Sequence, residues 1–342
     1  MKAVVLNAPG DISIVEQDVD TSFERIAKLR VISSGLCAAD KFLWTGKHPW
    51  NIDYPIVPGH EIFGEIIEIV PEMAKEYPLG TKVSVQVNVP CGDCEMCNFQ
   101  RFNMCVERRH FGSTFKGSFA EEIAIPLGSR MQILPHNIDD AIGGLSETMA
   151  NAIYCAEKVN LQGNESVLIL GMGSIGAALS HYLKKTYPNL SITALTSSKK
   201  KQTFFESRGF HVLKLEDAQK ISNEFQVVFE TSGHSENFLA GVKAVKPNGI
   251  VMLYGVFRDE ISFDFNQVSE FKEISILGGH LANDWAFARS SDFLSQNQEE
   301  LRYLISNVVN FDNFTTAFSN PKFSEFKTIF QPNVLSGGFH GF

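Results

Sequence analysis

The sequence lacks the long apolar runs that would tie a protein to a membrane. Nothing in its 342 residues approaches the roughly 20 apolar residues that span a bilayer. The opening MKAVVLNAPG also lacks an apolar stretch of signal-peptide length. We therefore expect a cytoplasmic protein with no membrane partner.

The sequence also has fewer positively than negatively charged residues. The chain has 30 Lys and Arg against 39 Asp and Glu, a formal net charge of −9 and an isoelectric point near 5.5. Such a balance argues against a nucleic-acid-binding surface. Repeats and long low-complexity linkers are absent as well, so we expect a globular protein that acts on a small molecule.

Cysteine is scarce except in one segment, CGDCEMCNFQRFNMC, which holds four of the six cysteines. In a reducing compartment, closely spaced thiols more often bind metal than form disulfides. Gaps of two, two and seven residues allow a tetrahedral structural zinc site with no open position. An iron–sulfur cluster is the rival, although bacterial ferredoxins space their cysteines differently. The four predicted structural zinc ligands are Cys91, Cys94, Cys97 and Cys105.

The pattern of apolar residues changes along the chain. The first 130 residues or so contain short β-rich segments, such as KLRVI and KVSVQVNV, separated by Gly, Pro, Asn and Asp. From about Gly163, strand patterns such as VLILG alternate with helical ones such as SIGAALSHYLKKT. That alternation predicts a parallel, doubly wound sheet. After about Asp284 the pattern is mixed again, as though the chain returns to its first domain.

The stretch VLILGMGSIGAALSHYL has the GxGxxG spacing of a dinucleotide-binding loop. The motif alone is weak, but here it follows a buried strand and opens a helix. Its glycines permit a tight turn, close approach of a pyrophosphate and close helix packing, and the helix start favours phosphate. The alternative is a loop that is rich in glycine only for packing. The predicted phosphate-binding residues are Gly171, Gly173, Ser174, Ile175 and Gly176.

The residues at the end of the next strand should determine whether the protein prefers to bind NAD or NADP. An acidic residue there would bind the ribose hydroxyls of NAD. The sequence instead has Thr196, Ser197, Ser198 and Lys199, with no carboxylate. Hydroxyl groups and an ammonium group can bind a 2′-phosphate, so we expect NADP(H) to be preferred over NAD(H).

Three separate stretches carry residues suited to a catalytic zinc. SGLCAAD contains Cys37, VPGHEIFGE contains His60 and Glu61, and LSETMANAIYCAEKV contains Glu147. One thiolate, one imidazole and carboxylates leave a position open for water or substrate. Each residue alone also has an ordinary structural explanation, such as a buried cysteine or a carboxylate at a helix start.

Taken in order, these motifs resemble the zinc-dependent medium-chain dehydrogenases/reductases, a family that includes alcohol, sorbitol and threonine dehydrogenases. GLCAAD, PGHEIFGEI, the four-cysteine segment, GSFAEEIAIP, LILGMGSIG and VVFETSG carry the resemblance. It implies an α/β fold: a GroES-like, β-rich catalytic domain over residues 1–152 and 288–342, with the zinc lobe at 88–108. A Rossmann domain over 153–287 interrupts it.

The resemblance also assigns roles. Cys37 and His60 match two firm zinc ligands, Glu61 matches a ligand of some members, and Glu147 matches the final ligand position. Zinc would bind the substrate oxygen and lower the pKa of its hydroxyl, while hydride passes between the substrate carbon and the nicotinamide. Thr231, in VVFETSG, is expected to contact the cofactor. A homodimer or homotetramer is also implied.

One position departs from the family. Many relatives have Ser or Thr two residues after the first zinc cysteine, where a proton relay begins, but this chain has Ala39. Thr45 and His48 are the candidates to replace that hydroxyl, and a relay through Glu61 or Glu147 is the alternative.

The sequence predicts the type of reaction more specifically than it predicts the substrate. Glutamate at the last zinc position favours sugar alcohols, polyols or their phosphates, while simple alcohols, aldehydes and threonine stay open. A zinc-free quinone or enoyl reductase and a non-catalytic nucleotide-binding descendant are the two competing functions.

Overall fold

The computed structural model describes residues 1–48, 52–218, 220–257, 259–319 and 325–334. The chain forms two compact units, one made of Met1–Ala150 and Ala282–Phe342, the other of Asn151–Leu281. Within the described residues, no helix is long and apolar enough to cross a membrane.

The first unit is rich in short strands, and all elements are numbered in chain order. Its strands are β1 (Lys2–Ala8), β2 (Asp11–Glu16), β3 (Arg25–Leu36), β4 (Glu61–Ile69), β5 (Lys82–Val85), β6 (Asn88–Val89), β7 (Arg109–His110), β8 (Glu122–Pro126), β9 (Met131–Ile133), β16 (Ile305–Val309) and β17 (Lys327–Phe330). Its helices are α1 (Ala38–Thr45), α2 (Glu95–Asn98), α3 (Asp140–Gly143), α9 (Asp284–Gln296), α10 (Gln298–Leu301) and α11 (Phe311–Ser319). Helix α4 (Ser146–Glu157) begins in this unit and continues into the second.

A seven-stranded sheet organises the first unit. Its order is β16-β17-β3-β4-β5-β9, with β8 also pairing with β3. The long strand β3 lies between β4 and β17, and its register sets Gly35 opposite Glu61 and Leu36 opposite Thr328. The ends of three strands that are distant in sequence therefore meet beside residue 37.

Phenylalanine fills much of the core next to this sheet. Rings from β17 and α11 pack against Phe119, with ring centroids 4.8 Å apart for Phe119 and Phe314. Large rings bury much apolar area per residue, which helps a unit of many short strands to form a stable core.

The second unit is a parallel α/β sheet. Its strands are β10 (Ser166–Leu170), β11 (Ser191–Leu195), β12 (His211–Leu213), β13 (Phe225–Glu230), β14 (Val245–Leu253) and β15 (Ser275–Gly278). Its helices are α5 (Ser174–Thr186), α6 (Lys199–Ser207), α7 (Leu215–Ala218) and α8 (Ser235–Ala244). The strand order β12-β11-β10-β13-β14-β15, with every pairing parallel, is that of a doubly wound nucleotide-binding sheet. The predicted fold class is confirmed.

Candidate active site

The first predicted ligand lies at the junction between β3 and α1. Cys37 has extended backbone geometry at the N-cap of α1, and its N–H donates to Asp40 Oδ2 at 2.8 Å. A carboxylate at the third helical position that accepts from the N-cap N–H is half of a capping box. This local bond fixes where the helix starts and so where the thiol of Cys37 lies.

Cys37, His60 and Glu61 lie together in space. One potential ligand atom from each lies within 4.8 Å of the other two. Their separation is compatible with one shared ion at about 2.0–2.3 Å from each atom, and sulfur, nitrogen and carboxylate oxygen are zinc donors. The three side chains therefore fit a zinc ion with a position left for another ligand. Sequence reasoning grouped these residues from two separate motifs, SGLCAAD and VPGHEIFGE.

Asp40 also orients the imidazole of His60. Asp40 Oδ1 lies 3.3 Å from His60 Nδ1, and the Asp40 side chain is fully buried. Burial disfavours a charge on His60, but the Asp40 carboxylate and, to a lesser extent, Cys37 outweigh it and raise the pKa of His60 well above its usual value. A carboxylate on one ring nitrogen fixes the ring and leaves Nε2 for a metal ion.

Glu61 is held by a buried lysine that sequence reasoning did not identify. Lys327 Nζ on β17 donates to Glu61 Oε1 at 2.6 Å, with both side chains less than 5 % exposed. Thr148 donates to the other oxygen, Oε2, at 3.2 Å. Both carboxylate oxygens thus have a donor, and the side chain has one defined position.

The charge on Lys327 depends on its acidic neighbours. Burial disfavours that charge, but Glu61 and Cys37 outweigh it and raise the pKa of Lys327 above its usual value. Glu147 contributes in the same direction. A cation that stays charged in the interior offsets part of the negative charge of this acidic cluster.

Gly35 leaves the space that the Glu61 carboxylate occupies. The two residues are directly paired across β3 and β4. A Cβ atom on residue 35 would overlap Glu61 Oε2. Any larger residue at position 35 would push the carboxylate out of its position. The glycine is therefore required by the packing of Glu61 and not by a turn in the backbone.

Glu147 is buried at the start of α4. It is outside the three-residue cluster, although its charge acts on Lys327. Its predicted role as a zinc ligand or as a residue near the ligand position stays a prediction.

The two candidate relay residues lie near the end of α1. Thr45 is exposed, and its hydroxyl donates to the carbonyl of Lys41 at 3.1 Å within the same helix. His48 is half-buried and immediately precedes residues 49–51, which lie outside the described part of the chain. Ala39 lies between Cys37 and Asp40 on the first turn. A relay through Thr45 or His48 stays a prediction.

The four clustered cysteines lie close together in space. Their sulfur atoms form four pairs separated by 3.5 to 3.9 Å. Sulfurs held tetrahedrally at about 2.3 Å from one zinc ion are about 3.8 Å apart, whereas a disulfide bond is about 2.05 Å long. All four thiols are free of disulfides. The spacing therefore fits a single ion.

The glycine loop connects β10 to α5, as the motif predicts. Gly176 must lack a side chain because a Cβ atom there would overlap the carbonyl oxygen of Gly171. Gly173 is different, since a Cβ atom there would meet nothing within 4 Å. That open space lies at the N-cap of a 13-residue helix, where N–H groups without helical partners can bind phosphate. Ser174 and Ile175 occupy the first turn.

Thr231 joins this loop to the next strand along the sheet. Its hydroxyl donates to the carbonyl oxygens of Leu170 and Gly171, at 3.1 and 2.7 Å. Thr231 therefore fixes the turn that begins the phosphate loop, which is a structural basis for its predicted place in the cofactor site.

The end of β11 exposes hydroxyl and ammonium groups. Ser197 and Lys199 are exposed, and Ser198 caps α6 by accepting from the N–H of Lys201 at 3.3 Å. Thr196 is buried, and its hydroxyl accepts from the N–H of Ser198 at 3.2 Å. These four residues form a polar turn where a nucleotide ribose binds in sheets of this type.

Comparison with known proteins gives two family matches that divide the chain. Residues 25–135 match the alcohol dehydrogenase GroES-like domain. Residues 147–331, more than half of the chain, match the glucose dehydrogenase C-terminus.

Individual relatives match over most of their lengths. An erythritol/L-threitol dehydrogenase of Mycolicibacterium smegmatis is 25% identical over 302 residues, covering 82% of this chain and 83% of that protein. A sorbitol dehydrogenase of Halalkalibacterium halodurans is 25% identical and covers 97% of this chain and 99% of its own. The crystal structure of galactitol-1-phosphate dehydrogenase from Escherichia coli has the same fold, with a TM-score of 0.86, 21% identity, and coverage of 97% and 100%. This chain therefore belongs to the zinc-type medium-chain dehydrogenase/reductase family of oxidoreductases.

Proposed function

We propose that this protein is a zinc-dependent dehydrogenase that transfers hydride between NADP(H) and a polyol or its carbonyl product. The observation that carries the proposal is the cluster of Cys37, His60 and Glu61, with donor atoms within 4.8 Å of one another. Sulfur, nitrogen and oxygen donors in one cluster suit a catalytic zinc rather than a structural one.

Each residue of the site has a separate task in this reaction. Cys37 and His60 would hold the zinc, with Asp40 fixing the imidazole through Nδ1. Glu61, which is positioned by Lys327, would supply the oxygen donor to the zinc. When bound, the zinc supplies a Lewis acid for the oxygen of the substrate.

A second zinc per chain would stabilise the lobe of Cys91, Cys94, Cys97 and Cys105. Four thiolates leave no position for substrate, so this ion would have no part in the chemistry. Its contribution would be to fold a segment that has only a short helix, α2, and one 3₁₀ turn, Phe102–Met104.

The preference for NADP(H) is supported by the turn after β11. Ser197 and Lys199 are exposed there, and Thr196–Lys199 contains no carboxylate. A carboxylate would repel a 2′-phosphate, whereas an ammonium group attracts one. The pyrophosphate would bind at the start of α5, where Gly173 leaves open space.

A polyol or polyol phosphate is the proposed substrate class. Two relatives of this chain are named for polyols, erythritol/L-threitol and sorbitol. Glu147, at the position where vertebrate-type alcohol dehydrogenases carry cysteine, points the same way. A homodimer or homotetramer, expected from the family, stays a prediction.

A substrate screen tests the proposal directly. Sugar alcohols and their phosphates would be supplied with NADP, and the corresponding sugars and sugar phosphates with NADPH, before and after zinc chelation. We expect turnover with at least one polyol, loss of turnover on chelation and a clear preference for NADP over NAD. Full turnover in a protein that contains no zinc would contradict the proposal, as would a tenfold or larger preference for NAD.

A further inference from the structure

A buried carboxylate lies at the end of β13, in the nucleotide-binding unit. Glu230 is the last residue of that strand and is fully buried. Strand β13 is the neighbour of β10, whose end carries the phosphate loop. The strand order reverses between these two strands, and dinucleotides bind beyond such a switch point. Glu230 therefore lies beside the crevice. It is part of the stretch VVFETSG, in which sequence reasoning gave a role only to Thr231.

Three donors from the following loop converge on this carboxylate. The N–H of Ser232 donates to Glu230 Oε1 at 2.8 Å, and the Ser232 hydroxyl donates to the same oxygen. The N–H of Gly233 lies 3.1 Å from both oxygens. Burial raises the pKa of Glu230 above its usual value, against these hydrogen bonds, which favour the ionised form.

No permanent cation offsets this charge within the described residues. Glu230 forms no ion pair with lysine or arginine in that part of the chain. Its basic neighbour is His234, which is exposed. The negative charge of Glu230 is therefore left to act on whatever binds in the crevice.

The carboxylate also packs against the loop that follows β14. The carbonyl oxygen of Glu230 accepts from the N–H groups of Tyr254 and Gly255, at 2.8 and 3.0 Å. A Cβ atom on Gly255 would overlap Glu230 Oε2. In doubly wound sheets one half binds the adenosine and the other the nicotinamide. With the ribose-recognition turn on β11, the half formed by β13 and β14 is the nicotinamide side.

We propose that Glu230 determines redox-state specificity: its buried charge makes the crevice bind the oxidised cofactor in preference to the reduced one. The inference rests on the proposed function, which supplies the cofactor. The oxidised nicotinamide ring carries a positive charge and the reduced ring does not. A fixed negative charge in a poorly solvated site therefore stabilises the oxidised form selectively. This preference helps substrate oxidation, because NADP enters and NADPH leaves.

Measuring the direct binding of NADP and NADPH to wild type and to Glu230→Gln at one fixed pH tests the proposal. Glutamine has nearly the same size, and its single amide oxygen can accept the three hydrogen bonds that Glu230 Oε1 accepts, so the substitution removes mainly the charge. We expect the ratio of the NADP to the NADPH dissociation constant to rise about fivefold or more in Glu230→Gln. Circular dichroism would check the fold of each variant.

Glu230→Asp is the second variant, since it keeps the charge while altering the hydrogen bonds. We expect its ratio of dissociation constants to stay within about twofold of wild type. An unchanged ratio in Glu230→Gln, with both affinities weakened equally, would show a merely structural role and overturn the inference. A lost preference in Glu230→Asp would overturn it as well. If the wild type bound neither cofactor, the proposed function would fall and the inference with it.

Discussion

The Glu61–Lys327 pair places two opposite charges where water hardly reaches. Each side chain is less than 5 % exposed and the two groups are 2.6 Å apart. Breaking such a pair leaves one charge buried without a partner, which typically costs about 3–5 kcal/mol. Removing both charges together costs much less.

That asymmetry gives the first prediction. We expect Lys327→Met to lower the free energy of unfolding by about 3 kcal/mol or more, and Glu61→Gln/Lys327→Met to recover most of the loss. Denaturant unfolding of the single and double variants measures this. Equal stability of Lys327→Met and wild type would show that the pair contributes nothing to the fold.

Gly35 gives a second prediction. Since a Cβ atom there would overlap Glu61 Oε2, we expect Gly35→Ala to displace the carboxylate and to lower both catalytic zinc content and activity by about tenfold or more. Zinc content by mass spectrometry and turnover with a polyol measure the two effects.

Gly278→Ala is the matched control, because a Cβ atom on residue 278 meets nothing within 4 Å. It should keep the zinc content of wild type. If Gly35→Ala bound zinc as well as this control, Gly35 would have no role at the site.

Sequence reasoning identified the residues that cluster at the candidate site better than the residues that position them. Cys37, His60 and Glu61 could be found because each lies in a motif with a chemical reason for its residue type. Lys327 could not, since it follows Cys37 by 290 positions and reaches Glu61 only through the pairing of β17 with β3. Asp40 had a local signal, a carboxylate three residues after the N-cap, that could have identified it.

Among the elements of the first unit, the zinc lobe, residues 88–108, has little secondary structure of its own. Helix α2 has four residues and β6 and β7 have two each. A segment of this kind would depend on a bound metal for folding energy. We expect Cys97→Ser to lose about one zinc ion per chain and to lower the melting temperature.

Cys155→Ala is the control for that variant, because Cys155 is fully buried in α4 and far in sequence from the lobe. It should retain the zinc content of wild type. The lobe assignment would be wrong if Cys97→Ser kept the full zinc content.

Two glycines of the phosphate loop allow the effect of a substitution on folding to be separated from its effect on cofactor binding. Gly176→Ala would overlap the carbonyl oxygen of Gly171, so we expect it to weaken NADPH binding by about tenfold or more and to lower stability as well. Gly173→Ala fills open space, so we expect weaker NADPH binding with unchanged stability. Fluorescence titration with NADPH measures the loss of binding, and thermal unfolding measures the loss of stability. An equal loss of stability in both variants would contradict the different roles assigned to Gly173 and Gly176.

Elements with strong periodic patterns were the most predictable ones. The strand VLILG and the helix SIGAALSHYLKKT appear as β10 and α5, because a buried central strand and a helix start at a glycine turn both leave clear local signals. The seven-stranded sheet was less predictable. Its strand β17 pairs with β3 almost 300 residues away, and pairings of that range leave no local pattern.

For the whole molecule, the change from a β-rich to an α/β pattern predicted two domains. The chain divides after Ala150 and after Leu281, against predicted boundaries after 152 and 287. The return of the chain to the first unit follows from β16 and β17, which join the sheet begun by β3. The identity of the substrate could not be predicted from the sequence, since it depends on side chains brought together by such long-range pairing.

The proposed function depends above all on a catalytic zinc held by Cys37 and His60. The most direct test compares polyol-dependent NADPH formation and zinc content in wild type and Cys37→Ser, with NADPH binding measured in both. We predict two zinc ions per wild-type chain and one in Cys37→Ser, with NADPH bound by both but formed only by the wild type. Turnover by Cys37→Ser at the wild-type rate, with both zinc ions still present, would contradict the account.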